Sequence, residues 1–440
     1  MGRGGVNERF STRLGGASIP PTGTRAATGR TLQRQAPAVS RPCAHADTSL
    51  PQVRRLPARV LAVLGTLAAF GPLSTDLYLP GLPGVAADLN ASSMATQGTL
   101  TTSVIGLGLG QLFVGPLSDR FGRRTPLIAG LVTFVVFSIG CAVAPNVGVL
   151  LAMRFGQALG GAAGLVIARA MVRDLADGDR LIRAMAMLML VSSLAPILAP
   201  LLGGQLISVT SWRGVFVALA VIGALLLAGT VAFTSETLPP ERRSQSGVRR
   251  AFDSYAVLAR DRHFVTTVAT FVSTFGTLFA YIAASPFLLQ VKYGLSAQMF
   301  SVVFSVNALL VMAGTRTRLR TPLGTMRLAI ALQTLGIIAV GASVYAHLGA
   351  LLVGFALICF GWGVMGPTAA ALALADHRDR AGAAAALQGA SQFAVAGLVG
   401  PLVGATGPDS VTAFVVVVAV LTIGAWVSVS FLRREKRRST

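Results

Sequence analysis

From about residue 58 onward the sequence is a succession of apolar stretches, twelve of them, the first at 58–80 and the last at 411–432. Each is long enough to cross about 30 Å of hydrocarbon, which takes about 20 residues of helix. In lipid, backbone groups find partners only inside a helix or a closed barrel, and barrel strands would alternate over about 10 residues. The stretches do not alternate. A surface that faces lipid also accounts for a composition of 53% AVILMFWYC and only 12% charged residues, about half the charged share of a soluble domain. The expected fold class is an all-α membrane protein of twelve transmembrane helices in two six-helix bundles, divided by the polar stretch 236–263.

The net charge of +21 would suggest nucleic acid if it formed a stripe on one folded face. Instead, of the 37 Lys and Arg, 33 fall in the two ends and in every second loop, only Arg213 and Lys292 fall in the opposite loops, and Arg154 and Arg169 lie within the fourth span. This is the positive-inside pattern, so both termini are expected in the cytoplasm and no nucleic acid is expected as a partner. The expected division is a disordered basic tail at 1–56, one bundle at 57–235, a cytoplasmic linker at 236–263, a second bundle at 264–432 and a basic tail at 433–440. The first segment has no apolar run, so it is not read as a secretory signal. Cys43, Cys141 and Cys359 are far apart, and no Cys/His cluster, Walker sequence or serine elbow occurs. No cofactor, metal or catalytic residue is expected, and neither is an enzyme.

Three intramembrane features stand out. Asp76 is the only carboxylate inside any of the twelve spans, and such groups are expensive in lipid and usually functional. Arg154 sits in the fourth span at a depth that matches Asp76 on the first, so the two are expected to interact, a nearby cation lowering the carboxylate pKa that burial raises. Either residue is also close enough to a span end to be hydrated or to snorkel to the interface. In the fifth span, Pro196 and Pro200 with Gly203 and Gly204 would bend a helix and let a neighbour pack closely.

The loop after the second span reads Gly115-Pro116-Leu117-Ser118-Asp119-Arg120-Phe121-Gly122-Arg123-Arg124. Positive-inside charge explains its arginines but not an acid at the membrane face. The stretch resembles the loop signature G-x-L-x-D-R-x-G-R-R of the major facilitator superfamily. That resemblance implies a latch: Asp119 would cap a helix of the other bundle starting near Ala383, with Arg120, Arg123 and Arg124 beside it and Gly115 and Gly122 allowing close approach. Arg154-x-x-Gln157-x-x-Gly160-Gly161 is similar to the family's fourth-helix motif, for which the resemblance implies a role in proton coupling. The Pro196 to Gly204 segment looks like the antiporter motif of drug exporters, with Ala195 where a glycine is usual.

Further stretches, among them 74–80, 170–174, Trp212-Arg213 and 236–243, narrow the resemblance to bicyclomycin-resistance (Bcr/CflA-type) drug/proton antiporters over about residues 60 to 430. The arginine-rich loop after the eighth span departs from the pattern and lacks a clear second gate. The resemblance implies proton-driven efflux of small, partly apolar drugs or metabolites across a bacterial inner membrane. A proton-coupled importer and a solute sensor of the same fold remain open. Expected partners are protons, a small-molecule substrate and membrane lipid, for a chain acting as a monomer. Tyr78, Gln157, Asn307, Gln388 and Gln392 are the polar residues expected to line a substrate cavity, although buried amides serve equally as hydrogen-bonding links between helices.

Overall fold

The computed structural model describes residues 57–438 except 244–246, 346, 376, 378–379 and 408–409. The segment 1–56 expected as a basic tail lies outside the described residues. The described residues are helical throughout, without a strand.

The first bundle is built from α1 (Ala58–Asp76), α2 (Leu82–Asp88), α3 (Ser93–Phe121), α4 (Arg124–Ala142), α5 (Val147–Leu175), α6 (Gly178–Val209) and α7 (Trp212–Phe233). The second consists of α9 (Arg262–Phe287), α10 (Ala297–Gly314), α11 (Pro322–Ala342), α12 (Leu348–Ala375), α13 (Ala381–Val403) and α14 (Thr412–Arg438), with α8 (Gly247–Leu258) between the bundles. Eleven of these helices are long and apolar enough to cross a membrane, and the segments Arg59–Gly71 and Leu73–Asp88, bent by 53° where they join within α1, make twelve when counted as one span. The stretch expected as one helix at 58–80 therefore breaks. Pro80 and Pro83, which cannot donate to a preceding turn, each sit at the start of a new helical segment. At the other end, α14 continues to Arg438, into the segment expected as a tail.

Helix starts carry their own signals. Ser92 accepts from the Ala95 N–H at 3.2 Å, Asn146 from Val149 at 2.9 Å, and Asp261 from His263 at 2.8 Å and Phe264 at 3.1 Å. Each side chain satisfies amide groups that the first helical turn leaves unpaired.

The two halves close in the same way. In the first, Gly130 of α4 and Gly160 of α5 each face the other's carbonyl oxygen, and in the second, Gly336 of α11 and Gly354 of α12 do the same. A side chain at any of the four would push apart helices whose backbones are in contact, which is how small residues serve packing in lipid.

Between the bundles, α3 and α13 stay in contact from Met94 beside Gly404 to Gln111 beside Gly389. At one end Ser93 donates to the Gly404 carbonyl at 3.3 Å and Gln290 to the Pro80 carbonyl at 3.2 Å, and midway along the helices Ser305 of α10 donates to the Ile197 carbonyl of α6 at 2.6 Å. At the opposite end, a space of about 510 Å³ lies between Asp119 and Arg173 on one side and Ala381 to Ala383 of α13 on the other.

Candidate functional site

Midway along the bundles lies a cavity of about 360 Å³ lined from both halves. Thr75 and Asp76 of α1, Val104 and Leu107 of α3, and Ser193 and Pro196 of α6 form part of its wall from the first half. Among the described residues Asp76 is the only charged side chain in the lining, and it is 7% exposed. α1 brings it there because the helix ends at this residue, and the turn that follows diverts the chain away.

Arg154 is not its partner. No ion pair joins Asp76 and Arg154 among the described residues. The Arg154 guanidinium is 1% exposed and lies within the first bundle, where Nη1 donates to Gln157 Oε1 at 2.6 Å and to the Ser74 carbonyl at 3.4 Å. The Tyr78 and Phe216 rings cover it at 5.0 and 5.5 Å, and Nε and Nη2 have no hydrogen-bond partner. Equal depth on neighbouring helices did not bring the two charges together because two residues along a helix turn through about 200°. Ser74 on α1 and Tyr78 in the turn after it meet Arg154, whereas Asp76 between them lines the cavity.

The same geometry corrects the expected cavity residues. Of the five, only Gln392 lines the cavity. Tyr78 is buried against Phe216 at 5.0 Å and shares a hydrogen bond with Thr99 at 3.2 Å. Gln157 donates to Ser138 Oγ at 2.7 Å and has no exposed surface. Asn307 donates to the Tyr281 hydroxyl at 3.1 Å and so holds a residue that does line the cavity. Gln388 is buried on α13 outside the lining. Sequence reasoning missed the aromatic residues of α9, α10, α12 and α13 that form much of the wall. Their signal was present as Phe271, Phe275 and Phe279, spaced four apart on α9.

Gly203 and Gly204 of the fifth span, on α6, both sit at close approaches. A Cβ on Gly203 would strike the backbone of Leu77, just after α1, and one on Gly204 would lie 3.0 Å from the Ala297 carbonyl oxygen of α10. Pro196 lines the cavity and Pro200 is buried.

At the end carrying Asp119, the segment 115–124, expected as a loop, is the last turns of α3 and the start of α4 with only Gly122 and Arg123 between them, and it is held by ion pairs and hydrogen bonds. Arg123 is 7% exposed, and its guanidinium donates to Asp174 at 2.9 Å, Ser118 at 2.7 Å and Asp119 at 2.5 Å. Asp119 faces the vestibule beside Ala383. It does not cap α13, whose first turn has no side-chain cap; the short aspartate side chain is drawn to Arg123 on its own helix end instead. Arg120 lies over the Phe121 ring at 5.2 Å, and Arg124 donates to the Val231 carbonyl at 2.9 Å. Gly115 lines the vestibule. Gly122 has φ +90, a conformation that disfavours a side chain, and a Cβ there would run into Glu236.

Glu236, at the start of the linker, is the unexpected member. Its carboxylate accepts from the backbone N–H of Arg123 at 2.8 Å, Leu238 at 2.9 Å, Thr237 at 3.0 Å and Arg124 at 3.2 Å. Partial burial raises its pKa, but these four amides outweigh that and hold the carboxyl below its usual range. It thus ties the linker to the start of α4.

Residues 64–401 match the Major Facilitator Superfamily profile. The chain is 34% identical over 390 residues to the uncharacterized MFS-type transporter YdgK of Bacillus subtilis (strain 168), covering 86% of this chain and 95% of that protein. It is 29% identical over 379 residues to the bicyclomycin resistance protein homolog of Haemophilus influenzae, covering 84% and 94%, and 30% identical over 382 residues to the multidrug resistance protein MdtL of Escherichia coli (strain K12 / DH10B), covering 84% and 90%. Among solved structures, the bacterial homolog of the human lysosomal transporter Spinster, inward-facing and unoccupied, superposes with a TM-score of 0.64 at 16% identity, covering 86% of this chain and 97% of that one. The POT family transporter PepTSo gives a TM-score of 0.69 at 16% identity, covering 87% and 99%. Helical throughout the described residues, with eleven or twelve spans in two matching halves and a shared cavity, the chain is a multi-pass membrane transporter, and it belongs to the Major Facilitator Superfamily.

Proposed function

We propose that this transporter is a proton-driven exporter of small, partly apolar drugs or metabolites in a bacterial inner membrane. The observation that carries the reading is Asp76, among the described residues the sole charged side chain in the lining of the central cavity. Protonated, the group is compatible with an apolar wall. Ionised, it is a strong acceptor in poor solvent. A proton taken up from outside and given up inside therefore alternates the cavity between two chemical states. Arg154 acts through α1, by way of Ser74 and Tyr78, and not through direct contact with Asp76. The names of the H. influenzae and E. coli relatives support drugs as the cargo.

Each proton entering down a 100 mV potential supplies about 2.3 kcal/mol, about a 50-fold substrate gradient per coupled charge. Asp119, Arg123 and the segment around them are assigned the cytoplasmic latch. The bundles meet at the end carrying Gly404 and Gly204, and at the end carrying Asp119 a space separates that carboxylate from the uncapped first turn of α13, so the latch contact is not made.

Accumulation of an apolar dye in cells expressing the protein tests the reading. Accumulation should fall, and an uncoupler that collapses the proton gradient should restore it. A rise in accumulation would make the protein an importer, and no change at all would favour a sensor.

A further inference from the structure

The aromatic surface of the cavity wall comes from one bundle, although that bundle also adds Thr315 and Gln392. All six aromatic residues in its lining, Phe275, Phe279, Tyr281, Phe304, Trp362 and Phe393, come from the second bundle. The first supplies the carboxylate and hydroxyls of Asp76, Thr75 and Ser193, with aliphatic side chains between them. Composition does not explain this, because the first bundle has rings of its own. It packs them inside itself, Phe70 on Phe134 at 4.3 Å and Tyr78 on Phe216 at 5.0 Å, away from the cavity.

The rings of the second bundle are arranged as a receptor. Phe275 is central, with Trp362 at 5.1 Å and 61° and Phe393 at 6.2 Å and 87°. Trp362 and Phe393 are only partly buried, so ring surface remains open to the cavity. Edge-to-face contacts of this kind use the electron-poor edge of one ring against the face of another, and a further flat ring can extend the set. Deeper in the wall, Tyr281 stacks on Phe304 at 5.4 Å and 21°, its hydroxyl held by Asn307. From the opposite bundle the carboxylate of Asp76 is the ionisable acceptor in the lining among the described residues.

We propose that the second-bundle surface formed by Phe275, Trp362 and Phe393 is a ring-binding subsite, and that it takes flat aromatic molecules carrying a hydrogen-bond donor at the edge that faces Asp76. This deepens the export reading and rests on it, since it assumes that the central cavity is where substrate binds. It places the substrate body on one bundle and the proton-exchanging group on the other. A molecule held on the rings would then sense the state of Asp76 through its donor alone.

A matched pair of probes tests the subsite. 2-Naphthol and decahydro-2-naphthol share a skeleton and a hydroxyl and differ in aromaticity. Binding of each to the purified full chain is measured by equilibrium dialysis in detergent. 2-Naphthol should bind about tenfold more tightly, the worth of two or three aromatic contacts beyond area burial. Trp362→Leu should bring the ratio to about threefold or less, and Phe393→Leu, at the cavity wall, is the second variant should the first not fold. With Trp212→Phe and Trp426→Phe in place, Trp362 is the only remaining indole of the three, and 2-naphthol should quench its emission.

A parent ratio below about threefold, no binding of either probe, or a full ratio retained in the folded Trp362→Leu protein would overturn the subsite. Failure of the export reading looks different. Dye export would be absent or indifferent to an uncoupler while the aromatic preference persisted. An intact uncoupler-sensitive export with no aromatic preference would remove the subsite alone.

Discussion

Arg123 and Asp174, at the cytoplasmic ends of neighbouring helices, are joined by a 2.9 Å hydrogen bond from the guanidinium Nε to a carboxylate oxygen, and the arginine is nearly buried. The same guanidinium reaches Asp119, whose side chain is 48% exposed. One arginine thus serves a structural partner and a solvent-facing one, and substitutions should separate the two.

Asp119→Asn removes an exposed pair worth about 1 kcal/mol or less, so thermal stability and substrate binding should stay close to the parent while export falls. Asp174→Asn leaves a nearly buried guanidinium short of its partner and should lower stability by about 1–3 kcal/mol. Melting in detergent alongside export rate is the check. Equal melting losses with no difference in export would remove the latch assignment.

Glu236 makes the linker's attachment sensitive to acid. Its folded-state pKa lies below the unfolded value, so its contribution is fully present above the ordinary glutamate range of about 4.3. That contribution is lost as pH falls through the depressed folded value. Protease cleavage between α7 and α8 should rise at low pH, and Glu236→Gln should show raised cleavage already at neutral pH with less change on acidification.

Gly204 allows α6 to approach α10 where the bundles meet. Gly204→Val should hold the helices apart there and disfavour closure of the bundles at that end. A cysteine placed at Ser305, in a background lacking the native cysteines, should then react faster with a membrane-impermeant thiol reagent from outside. No gain in reactivity would mean that this contact does not close the outer side.

Arg154 is a buried cation facing neutral groups, an arrangement that normally costs several kcal/mol, offset in part by two ring contacts of about 0.5–2 kcal/mol each. Arg154→Met keeps the volume and removes the charge. Melting temperature should be at or above the parent while export drops by at least about tenfold, a loss of about 1.4 kcal/mol in the transport barrier. Destabilisation together with retained export would make Arg154 structural.

The twelve spans, the two halves and the motif at 115–124 were legible because hydropathy and turn chemistry are local. Pro80 and Pro83 also marked the break after α1, although the apolar run continued through it. Which way a side chain faces was not legible. Asp76 and Tyr78 are two residues apart in an equally apolar setting, yet one lines the cavity and the other covers Arg154. The Phe271-Phe275-Phe279 row defines one face of α9, but lipid, packing and cavity all welcome phenylalanine. Glu236 caps a helix 112 positions before it, a pairing that exists only once α4 and α7 lie side by side.

The central claim is that the proton travels on Asp76, and substrate-triggered proton release from the purified protein, followed across pH, tests it most directly. The parent should release protons on adding an exported substrate, whereas Asp76→Asn, similar in shape but fixed neutral, should bind substrate and release none. Proton release from Asp76→Asn equal to that of the parent would contradict the account.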